Sequence, residues 1–341
     1  MSVDAISVNL VGWDNGGGLR TDVNILDRVL TEAGCRVRFN GRPVRQPRNQ
    51  AERVSDAVAV RLRHSLAGLR AVPPYDVNLF VETIAPEFIS LARVNCLIPN
   101  PEWFRDENRP YLGQMDWVLC KTRSAVEAFS ELTPRTRYVG FASVDRRAPQ
   151  AGSGELLFLH AAGASPWKGT SAVIEAWRRH PEWPRLLVFR SPAFYGGEQV
   201  EELAGASNIE LVNRRLDDGE WKRYQNACPV HLCPSEAEGF GHMIGEAMSC
   251  GAVVITTDGA PMNELVTPER GVLVRANRSE PMRLGIRYFV DPADLERQVN
   301  RVIAMGPDER RALGENARRW YEAQRGSFAR ALTEFVSSIP T

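Results

Sequence analysis

Glu238 and Glu246 stand eight positions apart in Pro-Ser-Glu-Ala-Glu-Gly-Phe-Gly-His-Met-Ile-Gly-Glu-Ala-Met-Ser-Cys-Gly, residues 234–251. Between them lies a turn with two glycines, Gly239 and Gly241. Residues 243–249 then have helical composition, and Gly251 suits the first position past a helix end. Apolar residues 230–233 before this stretch, and 252–256 after it, read as short buried strands. The backbone N–H groups of Gly239, Phe240, Gly241 and His242, with the positive end of the helix dipole behind them, form a place for a phosphate. Glu246, in the first turns of the helix, is placed to reach a vicinal diol such as a ribose. Glu238, just before the turn, is placed to reach a group attached to the phosphate. A phosphate cradle between two carboxylates suits a nucleotide-sugar.

The same residues resemble the retaining glycosyltransferases of family 4, which have the GT-B fold. The likeness lies in Glu238-x7-Glu246, in Gly239-Phe240-Gly241 after the first glutamate, and in Ala247-Met248-Ser249-Cys250-Gly251 after the second. Pro261-Met262-Asn263-Glu264-Leu265-Val266 resembles that family's short helix after the next strand. The resemblance is strongest over about residues 155–305 and loose before 150. It implies a nucleoside diphosphate sugar donor, UDP- or GDP-linked, with no cofactor, and a lysine that grips the donor pyrophosphate.

Lys168 occupies that place. It follows an expected strand at 156–161 and opens a helix with Gly169-Thr170, so an ammonium and a helix N-terminus converge. The resembled family carries an arginine a few residues earlier, and none lies between Gly163 and Trp167; Ser165 or Arg190 is the expected substitute. Gly16-Gly17-Gly18 ends the first strand, where open parallel sheets bind ligands, so Gly17 and Gly18 are candidate contacts to phosphate or sugar, with Asp14 and Asn15 beside them. Arg214, within Asn213-Arg214-Arg215, follows a strand where a base could rest. Glu82, also at a strand end, is the candidate for the acceptor hydroxyl. Asn100 and Glu102 end a further strand.

Alternating strands and helices must position these groups. Strands are expected at 7–11, 36–39, 76–81, 96–98, 117–120 and 138–141, with helices at 21–33 and 124–131. A second series has strands at 156–161, 185–189, 209–212, 230–233, 252–256 and 271–274. Its helices are at 170–179, 199–204, 218–226, 241–249, 293–305 and 308–324, and a last helix lies at 328–336. This order implies two Rossmann-like α/β domains with parallel sheets, facing across a cleft. The expected divisions are an acceptor domain at 1–150, a donor domain at 151–325, and a return of 326–341 to the first domain, with a polar linker at 147–154.

The 341 residues exceed what one core usually organises, and 43% hydrophobic with 25% charged content is ordinary for a globular protein. Net charge is zero, so no global field draws nucleic acid or membrane. No apolar run approaches the ~18 residues of a membrane span, and no opening stretch resembles a signal peptide. The expected location is cytoplasmic. Six unpaired cysteines fit reduced thiols, and five histidines show no zinc spacing. Residues 36–70 hold nine arginines against Glu52 and Asp56, with a helix expected at 50–69. Such a run is usually a solvated face; it could also rest on anionic lipid at the inner face of a membrane, or follow the phosphates of a polyanion.

The expected reaction is transfer of a hexose to a glycan or lipid-linked acceptor in bacterial-type surface polysaccharide synthesis. Neither sheet contains Asp-x-Asp, so no catalytic metal is expected. Alternatives are a sugar-nucleotide 2-epimerase on the same fold, a phage-type transferase acting on DNA, and a scaffold without activity.

Overall fold

A computed structural model describes residues 5–14, 18–43, 73–148, 155–163, 165–190 and 206–340. Outside them lie Gly16 and Gly17, residues 44–70 of the basic run with its expected helix, the expected helix at 199–204, and most of the expected linker. The chain forms two compact units, Met1–Phe141 with Gly326–Thr341, and Ala142–Arg325.

In the first unit, β1 (Ser7–Asp14), β2 (Arg36–Pro43), β3 (Tyr75–Val81), β4 (Ala92–Ile98), β5 (Trp117–Cys120) and β6 (Thr136–Tyr138) form one sheet in the order β2-β1-β3-β4-β5-β6. All its pairings are parallel. Helix α1 (Gly18–Glu32) buries Leu19, Val23, Leu26 and Leu30, a stripe at helical spacing. Helix α2 (Arg123–Ser130) starts where the Thr122 hydroxyl accepts from the Ala125 N–H at 3.2 Å. The strand order reverses between β1 and β3, and such a reversal opens a ligand crevice at the strands' carboxyl ends.

Register in this sheet is set by a ladder of amides, of which Asn9, Asn78 and Asn95 are buried. Asn40 donates to Asn9 at 2.5 Å, Asn9 to Asn78 at 2.8 Å, and Asn78 to Asn95 at 2.7 Å. Asn9, Asn78 and Asn95 lie opposite one another in β1, β3 and β4. A one-residue slip would leave these amides unpaired, at about 1–3 kcal/mol each.

The second unit holds β7 (Phe158–Gly163), α3 (Thr170–Arg179), β8 (Leu186–Arg190), β9 (Ile209–Val212), α4 (Asp218–Ala227), β10 (Val230–Cys233), α5 (His242–Cys250), β11 (Val253–Asp258), α6 (Met262–Leu265), β12 (Val272–Met282), β13 (Gly285–Val290) and α7 (Pro292–Ala304). The sheet order is β13-β12-β11-β10-β7-β8-β9, with only β13 antiparallel. The period of two assigns the faces: Phe158, Leu186, Val188 and Leu232 pack with α3 residues Val173 and Trp177, whereas Leu157, Leu159 and Phe189 pack with Trp221 and Tyr224 of α4. Here the order reverses between β7 and β10. Burial pushes the thiols of Cys228 and Cys233 up to about 12, as it does Cys120 in the first unit, so these cysteines are packing groups.

Three expectations change. The strand expected at 138–141 is β6, Thr136–Tyr138; beyond it Phe141 leaves the sheet to pack 4.7 Å from Phe328 and 4.9 Å from the Lys121 ammonium. The strand expected at 271–274 runs on into a long hairpin, β12–β13. The helices expected at 308–324 and 328–336 are one, α8 (Pro307–Ser337), because a lone Gly326 costs a helix only about 1 kcal/mol. Residues 142–148 belong with the second unit: the Arg146 N–H donates to the Ser249 hydroxyl at 2.9 Å, and Asp145 pairs with Arg318 at 2.6 Å.

Candidate active site

At the β7/β10 reversal the loops after both strands meet. Gly169 opens α3 with φ +68°, and a Cβ there would fall 2.2 Å from the Pro234 carbonyl oxygen, so glycine alone permits this approach. The Glu236 N–H donates to the Trp167 carbonyl at 2.9 Å, tying the lysine loop to the glutamate loop. Across the junction the Lys168 ammonium pairs with Oε1 of Glu238, which also accepts from the Ser235 hydroxyl at 2.7 Å. The Lys168 and Glu238 side chains are 17% and 10% exposed, so the pair is sheltered yet reachable.

Behind it stand two helix N-termini, those of α3 and α5. Gly239 and Phe240 are buried, and Gly241 caps α5 at φ +101°, a conformation that L side chains rarely adopt. His242 opens the helix, its ring 5.7 Å from that of Phe240 and its carbonyl accepting from Ser143 at 3.2 Å. The Ser165 hydroxyl accepts from the Trp167 N–H at 3.3 Å, so it shapes the lysine loop. Arg190 ends β8 opposite Gly163, where that loop begins. Arg214 lies past the edge strand β9 and forks onto Glu220 at 2.9 and 3.1 Å; Glu220 is also half of the capping box that starts α4.

Glu246 is more enclosed than its position in the sequence suggests. Its Oε2 accepts from Gln225 at 2.7 Å, with the Arg146 Nε at 3.6 Å and the Trp221 Nε1 at 3.5 Å. These partners fix the carboxylate's rotamer, and Oε1 has no partner among the described residues.

The first unit gathers a different set at its own reversal. Glu82 follows β3 with φ +68°, a strained conformation for a residue with a side chain. Its carboxylate accepts from the Asn100 amide at 2.8 Å, and Asn100 accepts from the Lys121 ammonium at 2.8 Å. Lys121 also pairs with Asp22 of α1 at 2.5 Å. Burial raises the Glu82 pKa; the Asn100 hydrogen bond and the Lys121 charge oppose that rise. Gly18 is the first residue of α1 and is exposed. Gly17, and the side chain of Asp14, lie outside the described residues.

Residues 143–320 match the family described as Glycosyl transferases group 1, more than half of the chain. The chain belongs to this family. Over 135 residues it is 32% identical to the lipopolysaccharide core biosynthesis mannosyltransferase LpcC of Rhizobium leguminosarum bv. viciae, covering 37% of this chain and 38% of that protein. The matched stretch is thus little more than a third of that relative's length. Among solved structures, a glycosyltransferase from Rickettsia africae superposes with TM-score 0.74 at 13% identity, over 99% of both chains. A sucrose-phosphate synthase from Thermosynechococcus elongatus gives 0.71 at 18%, over 97% of this chain and 98% of that one. Anabaena HepE in complex with UDP and glucose gives 0.70 at 16%, over 98% and 100%. At such identities these likenesses establish the fold, that of GT-B glycosyltransferases.

Sequence reasoning overlooked several groups of this group 1 glycosyltransferase. Ser235 and Glu236, beside the glutamate it singled out, fasten the loop. Gln225 and Arg146 hold Glu246, and no local spacing links them to it. Lys121 had a legible signal: it is one of three lysines and directly follows a strand, as Lys168 follows a strand and its loop.

Proposed function

We propose that this glycosyltransferase moves a hexose from a UDP- or GDP-linked sugar to a hydroxyl of a glycan or lipid-linked acceptor in cell-surface glycan synthesis, retaining the anomeric configuration and using no catalytic metal. The observation that carries the reading is the Lys168–Glu238 pair at a strand-order reversal, between the N-termini of α3 and α5. An ammonium has three donors, so pairing with Glu238 leaves two for diphosphate oxygens. The turn N–H groups and the two helix ends add donors where charge grows on the departing diphosphate. Glu238 takes hydroxyls of the donor sugar, and Glu246 takes the ribose through Oε1. Ser165 or Arg190 stands in for the missing arginine, and Arg214 borders the base. In the first unit Glu82 takes the acceptor hydroxyl. The acceptor oxygen bonds to the anomeric carbon as its bond to the diphosphate breaks, and the acceptor proton passes to the departing phosphate oxygen.

Likeness to the Rhizobium lipopolysaccharide core biosynthesis mannosyltransferase supports a surface-glycan setting, and UDP in the complexes of HepE supports a nucleotide-sugar donor. Among the described residues no group of His, Cys, Asp and Glu is arranged to hold a metal, and no helix is long and apolar enough to cross a membrane. Contact of the basic run at 36–70 with anionic lipid would bring the enzyme to a lipid-linked acceptor at the inner face of the membrane.

Thermal unfolding against UDP, GDP, ADP, CMP and dTDP tests the donor. A nucleotide at ~100 times its Kd adds about 2.7 kcal/mol if it binds only the folded state. One selective shift, lost in Glu246→Ala, is expected. No shift with any of the five overturns the reading. Transfer that stops in EDTA and returns only with added metal overturns metal independence.

A further inference from the structure

The β12–β13 hairpin reaches the donor loop through one residue. Arg287 of β13 places Nε and Nη2 both 2.6 Å from Oε2 of Glu236. The next residue along β13, Tyr288, donates its N–H to the Glu236 carbonyl at 2.7 Å. With its own N–H bonded to Trp167, Glu236 has its N–H, carbonyl and carboxylate all engaged. Arg287 is held in turn: Nη1 reaches Glu280 of β12 at 3.2 Å, and its guanidinium lies 4.5 Å from the Phe289 ring centroid. The Tyr288 ring covers Gly259 so closely that a Cβ there would lie 2.7 Å from it. A planar guanidinium fixed on both sides is preorganised, so it loses little entropy in holding its carboxylate.

Glu238 is two residues beyond Glu236, on the same loop. We infer that Arg287 is a positioning residue for the donor's sugar: through Glu236 the β12–β13 hairpin sets the loop that aims the Glu238 carboxylate. This rests on the reading of Glu238 as the sugar-binding group. Diphosphate and ribose are met also by groups with anchors of their own: the α5 N-terminus is fixed by its helix, and Glu246 by Gln225. Loosening Arg287 therefore acts on the sugar and spares the nucleotide.

The test is calorimetric binding of UDP, GDP and dTDP, and of UDP-glucose, UDP-galactose, UDP-N-acetylglucosamine, GDP-mannose and dTDP-glucose, to wild type, Arg287→Gln, Arg287→Lys and Glu236→Gln. Wild type should bind one nucleotide sugar at least ten times tighter than its bare nucleotide. Arg287→Gln and Glu236→Gln should each lose that advantage at least tenfold, with bare-nucleotide affinity within twofold of wild type. Arg287→Lys should recover part of it. An unchanged sugar advantage in both glutamine variants overturns the proposal. So does an equal loss for sugar and bare nucleotide, the mark of a merely structural contact. A wild type that gains nothing from any sugar overturns it while leaving nucleotide binding in place. A wild type that binds no nucleotide removes the proposed function itself and this inference with it.

Discussion

Each unit places a lysine–carboxylate pair beyond the carboxyl ends of its strands, and the two pairs differ in access. Lys121 and Asp22 are 2% and 3% exposed, whereas Lys168 and Glu238 are 17% and 10% exposed. The sealed pair has its polar atoms consumed inside the protein: Lys121 bonds Asp22 and Asn100, and an aromatic ring covers it. The reachable pair shares a single oxygen of Glu238, which leaves capacity on both partners. Similar chemistry at topologically similar places thus has two uses. A lysine that no solute can reach holds its own domain's loops in place. A lysine at the surface of a loop junction can meet a charged ligand.

The largest expected effect breaks the sealed pair. Lys121→Met leaves Asp22 as an uncompensated buried charge, which costs on the order of 3–5 kcal/mol. Urea unfolding of the full chain should show that loss, and Asp22→Asn combined with Lys121→Met should recover much of it. A loss below about 1 kcal/mol would mean that water reaches the pair and that the distinction in access is false.

Lys168→Ala is the counterpart. It should weaken donor binding or turnover by roughly 2–4 kcal/mol, the scale of losing one partner of a charge pair at a binding site, while unfolding stays close to wild type. Wild-type turnover in this variant would put the donor phosphates elsewhere. A stability loss as large as that of Lys121→Met would make both pairs structural.

How much of this contrast the sequence carried depends on the distance over which each feature is written. The helix α5, its glycine cap and the strands on either side are local patterns, and β5, β9 and β10 fall where the hydrophobic runs put them. Lys168 was legible because strand, loop and helix start are contiguous. Its pairing with Glu238 joins residues 70 apart, and that of Lys121 with Asp22 joins residues 99 apart. No spacing rule reaches that far. The asparagine ladder is hidden for the same reason, since its members are spread over four strands. The β12–β13 hairpin was missed because β12 continues past its apolar start, residues 272–274, into the polar run Arg275-Ala276-Asn277-Arg278-Ser279-Glu280, a weak strand signal.

Acid separates the units further. His160 is buried in the second unit, donating from Nδ1 to the Leu232 carbonyl and accepting at Nε2 from the Thr170 hydroxyl, both at 2.9 Å. Burial lowers its pKa to about 4, and it does the same to His231. Between the ordinary value of 6.5 and about 4, the unfolded chain binds protons that these folded histidines refuse. Stability is therefore full above the ordinary value and falls as pH drops through that window, by up to about 3 kcal/mol for each histidine. His160→Gln should flatten the decline in an acid titration of unfolding. An unchanged slope would mean that the ring is reached by water.

Glu82 gives the smallest effect and the opposite sign. Its folded pKa is raised above the model-peptide value of 4.5, with Asn100 beside it and the charges of Lys121, Asp22 and Arg105 around it. Between the ordinary value and the raised one, the folded carboxyl holds a proton that the unfolded chain has released. Its contribution to stability is thus greatest in acid and declines as pH rises through that window. Glu82→Gln keeps an amide oxygen for Asn100 and removes the buried charge, so the variant should be at least as stable as wild type at pH 7. If Glu82 meets the acceptor, this variant should lose transfer while keeping its nucleotide affinity. Denaturant midpoints and nucleotide titrations on the same preparation read both properties. A destabilised Glu82→Gln would show the carboxylate charge holding the first unit together, which would place Glu82 with the sealed pair.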